Sequence, residues 1–595
     1  MGRLVLVKKR DGSIVPYQQE KIIASIQSVL PAESKKVINA VITDIEKTFS
    51  GIVPTTKQLR DVIEKQLSKY KKAVQAYSEY KRSKKTEFVT YAGIRNDLNL
   101  PGNTIDILSA GILMRNEHAR IIETPSRMFR RVAKALAMAE KNYHTSTIRA
   151  EEEFYQTMTK MEFLPSVQIL SNAARTNALS QCIAFSAEDS LAGIMRTAQQ
   201  LVMCNKQGIF TGINFSKIRP KGNIVRNAEN KATGPLSFAQ MYDAITKIVF
   251  GKHINDATIA LSHPDSALFS NTTFDCFTNW TFVDDAFLEA IEKETNYSII
   301  NPHDNKTSQV NAKELFANIL TKTKNISFVN KTICNNQPLD DYQCLFSGSI
   351  NLPVFVKNDK PEWHRLRKAV REGVRMLDNA IDINAYILPE SEQITKQSRT
   401  ISISVNGFAE MLSLLNIPYT SPKALKFAEE LMLFIKTEAR KMSDELAKER
   451  TKYPSQKTGK PTRNEKLLSI METGASLLTN TSPGIEPFQY SVKIITNENS
   501  FLEINPTLER MLREHNCYDI SNLAQYAKKP FKPPKKILFS TFADNEFSIK
   551  LQAVFEKYID GGVAKNIPAS KLSPKDLQKL ILSAKKMKLK TLRLS

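Results

Sequence analysis

Several common signals are missing from this chain of 595 residues. It contains no run of about 18 apolar residues, the length that crosses a bilayer as a helix, so no membrane span is expected. The N-terminus, MGRLVLVKKRDGS, carries charges too early for the apolar core of a secretory signal. No segment repeats, and none is of low complexity. These absences favour a globular, cytoplasmic protein that does not bind a membrane.

Cysteine and histidine are scarce and dispersed. The six cysteines include no C-x-x-C pair, and the seven histidines are isolated, so no metal site is predicted. In a reducing compartment, dispersed cysteines commonly act as small buried hydrophobic residues. That is the interpretation for Cys204, Cys276 and Cys517, and the other three cysteines need a separate account.

Positive charge is what the chain has in excess. Its 84 Lys and Arg residues against 61 acidic residues give a net charge of +23. Such a balance favours anionic partners, either nucleic acid or nucleoside phosphates, although a solvated Lys-rich surface explains it equally well. Nucleic-acid binding would also need a known module or a basic patch with interleaved aromatic residues. Because neither is found, no direct contact with nucleic acid is expected.

Hydrophobic periodicity divides the chain into three regions. Alternation around Asp11-Gly12 predicts a hairpin, and helical patterns follow it as far as the polar run at 83–88. We therefore predict three domains, which cover residues 1–88, 89–162 and 163–595. The middle domain carries helical patterns at 104–142 and 149–161. In the last domain, short apolar strands alternate with helices such as 363–385 and 422–449, which indicates an α/β fold.

The first 88 residues resemble an ATP cone. The resemblance rests on Val7-Lys8-Lys9-Arg10-Asp11-Gly12, on Glu20-Lys21-Ile22 and on VQAYSEYKRSKK at 74–85. ATP cones bind ATP or dATP and switch nucleotide reductases on or off. The resemblance therefore assigns an allosteric nucleotide site to Lys9, Arg10, Lys21 and Thr55, where cations would meet phosphate oxygens near a helix start.

The rest of the chain resembles the large, catalytic chain of ribonucleotide reductases. The motifs follow one another in the family's order: FLPSVQILSNA (163–173), LSQCIAFSAEDSLAGI (179–194), TGINFSKIRPKG (211–222), ISISVNGFAEML (401–412), METGASLLTNTSPGIEPF (471–488) and KYIDGGVAKNIP (557–568). The resemblance covers about residues 3–592 and is closest to the adenosylcobalamin-dependent branch. It implies a ten-stranded α/β barrel with a C-terminal extension, preceded by an N-terminal helical region and a small α+β ATP cone.

The resemblance also implies a reaction, the reduction of ribonucleoside di- or triphosphates to deoxyribonucleotides for DNA synthesis. In this family a cysteine thiyl radical takes the 3′-hydrogen, two further cysteines supply electrons and close to a disulfide, and a glutamate handles the 3′-hydroxyl proton. A cofactor, here adenosylcobalamin, starts the radical. Cys334 matches the radical cysteine and Cys182 a redox cysteine.

Three positions depart from the family pattern. Around Cys334 the family has Asn-Pro-Cys-Gly-Glu-Gln-Pro-Leu, so Thr332 replaces the asparagine and Asn336 replaces the glutamate. Asn cannot act as a general base, and such a base is typically worth about 10²–10⁴-fold in rate. Cys344, the candidate second redox cysteine, lies one residue too far from Gly348. That offset turns a strand side chain to the other face, and we favour a β-bulge that turns it back.

Substrate contacts follow from the same resemblance. Ser166, Ser180 and Gly212 match substrate-binding positions, and the turn Thr473-Gly474-Ala475-Ser476 matches the phosphate site. Glu472 stands where that turn has a leading proline. The loop near Gly251–Asn255 lacks the paired arginines with which the family reads substrate identity.

Two alternatives to an adenosylcobalamin-dependent reductase stay open. One is a catalytically degenerate, reductase-like protein that senses nucleotides, because Asn336 replaces the glutamate. The other is a class I-type large subunit that needs a radical-generating partner subunit, although KLKTLRLS at 588–595 contains no tyrosine pair for radical transfer and no cysteine pair. Besides ribonucleotides, the expected partners are a thioredoxin-like protein or small dithiol as reductant, and a second copy of the chain in a homodimer.

Overall fold

The computed structural model describes residues 6–8, 14–17, 19–27, 34–49, 54, 56–68, 90–91, 94–225, 231–251, 253–488, 490, 492–496, 500–517, 534 and 537–595. They fall into two compact units, Met1–Ala137 with Ser146–Thr159, and Met138–Thr145 with Lys160–Ser595. Among these described residues, no helix is both long and apolar enough to cross a membrane.

The first unit is mainly helical. Its strands are β1 (Leu6–Lys8), β2 (Ile14–Pro16), β3 (Thr90–Tyr91) and β4 (Ile94–Arg95). Its helices are Gln19–Gln27, Ser34–Thr48, Thr56–Leu67, Gly102–Ile107, the π-helix Leu108–Ile112, Pro125–Ala137 and Thr147–Thr159. β1 and β2 pair antiparallel, with Val7 opposite Val15, which confirms the predicted hairpin. Ile26, Val41 and Ile45 are fully buried in the core of these first elements.

One predicted helix of this unit is wrong. Instead of running continuously over 104–142, the helix ends at Ile112, and a new helix begins at Pro125. Proline suits the first position of a helix because its missing N–H would have no helical partner there. The intervening segment is held by Glu123, which accepts a hydrogen bond from Met114 N at 3.0 Å and pairs with Arg131 at 2.9 Å.

The second unit is α/β, as predicted. Its strands are β5 (Phe163–Pro165), β6 (Cys182–Ser186), β7 (Phe210–Asn214), β8 (Asn255–Ala260), β9 (Phe277–Phe282), β10 (Asn296–Ile300), β11 (Thr307–Asn311), β12 (Asn325–Ser327), β13 (Thr332–Cys334), β14 (Gln337–Leu339), β15 (Cys344–Asn351), β16 (Val356–Lys357), β17 (Lys360–Pro361), β18 (Ile401–Asn406), β19 (Val492–Thr496), β20 (Ser500–Ile504), β21 (Asn566–Ile567) and β22 (Thr591–Leu594).

Helices connect most of these strands. The α-helices are Val167–Asn172, Leu191–Lys206, Pro235–Phe250, Ser266–Ser270, Asp285–Glu292, Ala312–Leu315, Trp363–Ile383, Pro389–Ser398, Phe408–Leu414, Pro422–Arg450, Ala475–Thr479, Pro506–Glu514, Asn545–Glu556 and Pro574–Lys586. A π-helix covers Phe316–Leu320, and 3-10 helices cover Met138–Tyr143 and Leu352–Phe355. The helices predicted at 363–385 and 422–449 are confirmed within two residues at each end.

A mixed sheet of ten strands organises this unit, in the order β18-β15-β6-β7-β8-β9-β12-β22-β21, with β5 also paired to β15. β6, β7, β8, β9 and β12 run parallel, and β15 joins them antiparallel through β6. All residues of β15 and β18 are buried, as expected for strands covered on both faces.

Two isolated bridges pair further segments of the chain near the outer strands of this sheet. Ile403 of β18 bridges to Leu468 in parallel, and Ile470 bridges to Val563 in parallel. Ile470 N donates to Gly562 O at 3.0 Å. Val563 lies three residues before β21, the strand at the opposite end of the sheet order.

A buried ion network ties the long helices together. Asp378 is fully buried and pairs with Arg399, Arg450 and Arg463, at distances from 2.9 to 3.3 Å. Burial by itself would raise the pKa of Asp378, but the three guanidinium groups hold that pKa at about 2. Arg450 also pairs with buried Glu140 at 2.6 Å. The network therefore fixes Trp363–Ile383 against Pro422–Arg450.

Candidate active site

The hairpin β13–β14 holds Cys334 beside a two-residue turn. Cys334 ends β13 and pairs with Gln337, which begins β14. Between them, Asn335 and Asn336 have φ angles of 50° and 63°, the left-handed values that a type I′ turn requires at both central positions. Asn tolerates this conformation better than most residues with a side chain. The sequence Cys-Asn-Asn-Gln is therefore suited to a tight hairpin whose thiol is completely buried.

Hydrogen bonds and a close backbone approach anchor this hairpin. Ile333 N donates to Thr258 Oγ1 of β8 at 3.2 Å. Gln337 accepts a hydrogen bond from Gly562 N at 2.7 Å and donates one back to Gly562 O at 3.3 Å. Gly212 of β7 lies beneath the hairpin, and a Cβ there would stand 2.2 Å from Ile333 O. The structure thus gives Gly212, a predicted substrate contact, a position that lets the hairpin approach β7 closely.

The thiols of Cys182 and Cys334 are neighbours. Cys182 Sγ donates to Cys334 O at 3.7 Å, and Cys334 Sγ donates to Phe210 O at 3.6 Å. Burial raises the pKa of Cys334 well above its ordinary value, and nearby Cys182 raises it further. Cys334 therefore keeps its proton at neutral pH, which is the form from which a hydrogen atom can be removed.

The register of β15 contradicts the bulge predicted for Cys344. Cys344 pairs with Ile183 and Leu345 pairs with Cys182, with no inserted residue between the two pairs. Because successive strand residues point to opposite faces, Leu345 shares the face of Cys182. Leu345 packs in one apolar cluster with Cys182 and Cys334. This register therefore places Cys344 on the face of β15 opposite to that of Leu345, although the Cys182 thiol stays within electrostatic range of Cys344.

Hydroxyl groups surround Cys344 on the opposite face. Its thiol interacts with the side chains of Ser391, Ser180 and Thr395, and burial raises its pKa to about 11. Thr395 Oγ1 also accepts a hydrogen bond from Cys344 N at 3.0 Å. Ser180, a predicted substrate contact, is thus a neighbour of Cys344.

The structure brings Ser166 to the predicted phosphate turn, Thr473–Ser476. Val167 N donates to the carbonyl oxygen of the first residue of the turn at 3.1 Å. Gly474 has a φ of 78°, and a Cβ there would stand 2.4 Å from Val167 Cγ2, so the turn requires glycine. Ser166 Oγ is buried and has no hydrogen-bond partner in the described part of the chain. A buried hydroxyl without a partner is available for a ligand oxygen.

A cavity of about 230 Å³ lies beside the hairpin turn. Its lining residues are Phe210, Ile254, Asp256, Thr278, Trp280, Asn335, Asn336, Glu472 and Arg593. Arg593 of β22 pairs with Glu472 at 3.1 Å. Sequence reasoning missed Asp256 and Arg593. The available signal was Asp256 itself, an ionisable residue in a strand that is otherwise neutral.

The remaining predicted site residues are Thr332 and those of the allosteric nucleotide site. Thr332 is buried in β13, two residues before Cys334 and therefore on the same face of the strand. Lys21 lies in the helix Gln19–Gln27. Lys9, Arg10 and Thr55 fall outside the described residues, so the allosteric nucleotide site stays a prediction.

Three family models match the chain in sequence order. The model for the ATP cone domain matches residues 5–86, and that for the ribonucleotide reductase all-alpha domain matches 100–178. The model for the ribonucleotide reductase barrel domain matches 180–341, 331–461 and 455–594. This last match covers well over half of the chain. The protein therefore belongs to the ribonucleotide reductase large-chain family.

Three curated relatives show which reductases this chain is similar to. A vitamin B12-dependent ribonucleoside-diphosphate reductase of Thermoplasma acidophilum is 28% identical over 94% of this chain and 89% of its own length. A protein of the same description from Mycobacterium tuberculosis is 29% identical over 98% of this chain and 93% of its own. The ribonucleoside-diphosphate reductase subunit alpha of Chlamydia pneumoniae is 23% identical over 79% of this chain and 57% of its own.

Proposed function

We propose that this chain reduces ribonucleoside diphosphates to deoxyribonucleotides with adenosylcobalamin as radical source. The observation that carries the proposal is the proximity of Cys334, beside the turn of a buried hairpin, to Cys182 of β6, with a cavity lined by the two turn residues next to them. Glu472 lines that cavity and directly precedes the turn Thr473–Ser476. A sugar in the cavity could therefore have its phosphates at the turn. Diphosphates are proposed because the relatives compared above are all described as ribonucleoside-diphosphate reductases.

The chemistry assigned to the chain uses these two thiols. Cys334, converted to a thiyl radical, takes the 3′-hydrogen of the ribose and later returns it. Cys182 protonates the departing 2′-hydroxyl and supplies reducing electrons. Because Leu345 faces Cys182 where a second thiol would be needed, we propose that an external dithiol, either a small molecule or a thioredoxin-like protein, completes the electron supply. Cys344 is then a buried structural residue.

The residues beside Cys334 fit the adenosyl part of the cofactor. When bound, the cofactor supplies the radical that this chain's own side chains cannot generate. Phe210 and Ile254 offer apolar surface to an adenine at the edge of the cavity, and its polar residues are left to the ribose. The neutral Cys334 thiol carries the hydrogen atom that the radical must remove. Phe210 and Ile254 are the residues proposed to contact the adenosyl group.

The proposal also covers the closure of the sheet, the oligomeric state and the cellular compartment. The bridges from Ile403 to Leu468 and from Ile470 to Val563 support closure of the ten-stranded sheet into a barrel around the β13–β14 hairpin. Exposed Leu191 and Met195, one turn apart on their helix, offer apolar surface for a homodimer. The cysteines described in the structure are all free, which suits action in the reducing cytoplasm.

The test is deoxynucleotide formation from CDP and CTP with a dithiol, with and without adenosylcobalamin. We expect product from CDP only when the cofactor is present, and no product from Cys334→Ala under the same conditions. Product from CTP alone would move the substrate class to triphosphates. Absence of product with every radical source would contradict the proposal and favour a degenerate, nucleotide-sensing protein.

A further inference from the structure

Asp256 is the one carboxylate on the sheet side of the cavity among the residues that line it. It lies in β8, is buried, and shares the cavity with Asn335 and Asn336 of the hairpin turn. Glu472, the other acidic lining residue, is already paired with Arg593 at 3.1 Å. Asp256 has no such ion pair among the described residues, so its charge is not neutralised by direct contact.

Two donors hold the Asp256 carboxylate in one orientation. Oδ2 accepts a hydrogen bond from Asn335 N at 2.6 Å, and Oδ1 accepts one from Trp280 Nε1 at 2.8 Å. An ionised carboxylate has about four acceptor sites on its two oxygens. Two sites are therefore left for a ligand in the cavity. The bond to Asn335 also places the carboxylate one residue from Cys334 and one from Asn336.

The surroundings suit a proton acceptor near neutral pH. Burial raises the pKa of Asp256 to about 6, against the lowering effects of Asn335 N, Trp280 and Arg593, while Glu472 raises it. On the hairpin side, the Cys334 thiol is also within electrostatic range of Asp256. A base whose pKa lies near the working pH combines the right protonation state with the best driving force for proton transfer.

We propose that Asp256 is the general base that accepts the 3′-hydroxyl proton of the substrate, the task that Asn336 cannot perform. This inference rests on the proposed ribonucleotide reduction. Asp256 lines the same cavity as Asn336, which stands at the position of the family's glutamate. The same side chain also anchors the hairpin, so a test must separate proton transfer from anchoring.

Protons and electrons balance over the proposed reaction. The Cys334 thiyl takes the hydrogen atom from C3′, so a C–H bond breaks and an S–H bond forms. The O3′–H bond then breaks, its proton moves to the Asp256 carboxylate, and its electron pair stays on O3′. That electron density expels the 2′-hydroxyl, which leaves as water with a proton from Cys182. One thiol of the external dithiol then gives a hydrogen atom to C2′, which forms the new C–H bond, and its thiyl sulfur joins the Cys182 thiolate in a disulfide radical anion. This radical anion passes one electron to the 3′-ketone as Asp256 returns its proton to O3′, and Cys334 returns its hydrogen atom to C3′. The second thiol of the dithiol cleaves the mixed disulfide and its proton returns to Cys182, so that the dithiol leaves as a disulfide.

The experiment compares the pH dependence of turnover for the full-length wild type, Asp256→Asn and Thr258→Val. Thr258→Val is the matched control, because it removes a hydrogen bond between β8 and the hairpin without removing a carboxylate. We expect wild-type turnover to rise with pH through about 6, as the carboxylate ionises. Asp256→Asn should lose about 10²–10⁴-fold in turnover and that rise, whereas Thr258→Val should keep the rise. If the turnover of Asp256→Asn stays within threefold of the wild-type value and still rises with pH, the inference is overturned.

Two further measurements make the result decisive. Infrared difference titration should detect a buried carboxyl with a pKa near 6 in the wild type and not in Asp256→Asn, without cofactor or substrate. Asn336→Glu in the Asp256→Asn background should recover turnover if the lost task is proton transfer, and should not if anchoring was lost. If Asp256→Asn does not fold, Asp256→Glu takes its place. Its turnover must then rise with pH at a different pH from the wild type, and a rise at the same pH refutes Asp256 as the general base. An inactive wild type would instead refute the reductase function.

Discussion

At the scale of single residues, the proposed electron supply depends on which residue of β15 lies opposite Cys182. Leu345 is directly opposite Cys182, and Cys344 is on the other face of β15. Directly opposed residues of antiparallel strands have Cβ atoms about 4.5–5.5 Å apart, which is near the separation that a disulfide needs. A thiol at 345 would therefore meet Cys182, whereas the thiol at 344 does not.

Two substitutions in β15 test which of its residues faces Cys182. Cys344→Ser should keep most of the turnover with a small dithiol, because this thiol faces Ser180 and Ser391 and not the cavity. Leu345→Cys should form a disulfide with Cys182 on oxidation, visible as a mass loss of two hydrogens and as one linked peptide pair. Cys182→Ser in the Leu345→Cys background is the control. Loss of turnover in Cys344→Ser, together with a Cys182–Cys344 link in the wild type, would refute this assignment.

Asn336 is constrained by the backbone as well as by chemistry. Its φ of 63° is a conformation that costs residues other than Gly and Asn roughly 1–2 kcal/mol. Asn336→Gly should therefore leave the thermal unfolding temperature within a few degrees of wild type, whereas Asn336→Val should lower it clearly. Equal stability of the two variants would show that the turn does not depend on this φ value.

At the scale of elements, the buried network at Asp378 connects two long helices. Loss of the Asp378 carboxylate removes one acidic partner from each of three buried guanidinium groups and leaves them Asp382 and Glu140. Breaking a buried pair by removing one member typically costs about 3–5 kcal/mol. By contrast, the exposed pair Lys247–Asp275 should contribute no more than about 1 kcal/mol.

Asp378→Asn should thus lower the free energy of unfolding of the second unit far more than Asp275→Asn. The pKa of Asp378 is about 2 in the fold and about 3.9 in an unfolded chain. Its contribution is therefore complete above pH 4 and is lost as the pH falls through about 2. Urea unfolding at pH 7 and at pH 3 should show a smaller difference between wild type and Asp378→Asn at the lower pH. A difference that grows on acidification would contradict the network's role.

At the scale of the whole molecule, the match to the ATP cone domain over residues 5–86 implies nucleotide control of the reductase. Lys21→Ala should weaken ATP or dATP binding about tenfold or more, because a charge-assisted phosphate contact is worth about 1.5–3 kcal/mol. Lys47→Ala removes an exposed charge from a neighbouring helix and should leave affinity unchanged. Calorimetry on the full chain measures both. Equal affinities for the wild type and Lys21→Ala would remove Lys21 from the site.

The sequence by itself determined the family, the α/β class and the strand–helix order. Ordered motifs and hydrophobic periodicity are local properties, so the helices at 363–383 and 422–450 could be predicted nearly to the residue. The pair Cys334 and Cys182 was predicted for the same reason, since each lies in a recognisable motif. The break between Ile112 and Pro125 was missed because an amphipathic pattern continues across it.

Only the tertiary structure decided which side chains share a face of the sheet. Strand register is fixed by pairing between residues far apart in sequence, and a shift of one residue reverses every side chain. That is why the spacing of Cys344 was compatible with a bulge, and why the ladder between β6 and β15 was needed to exclude it. Asp256 and Arg593 are 337 positions apart in the numbering of the chain, and they line one cavity because β8 and β22 belong to the same sheet.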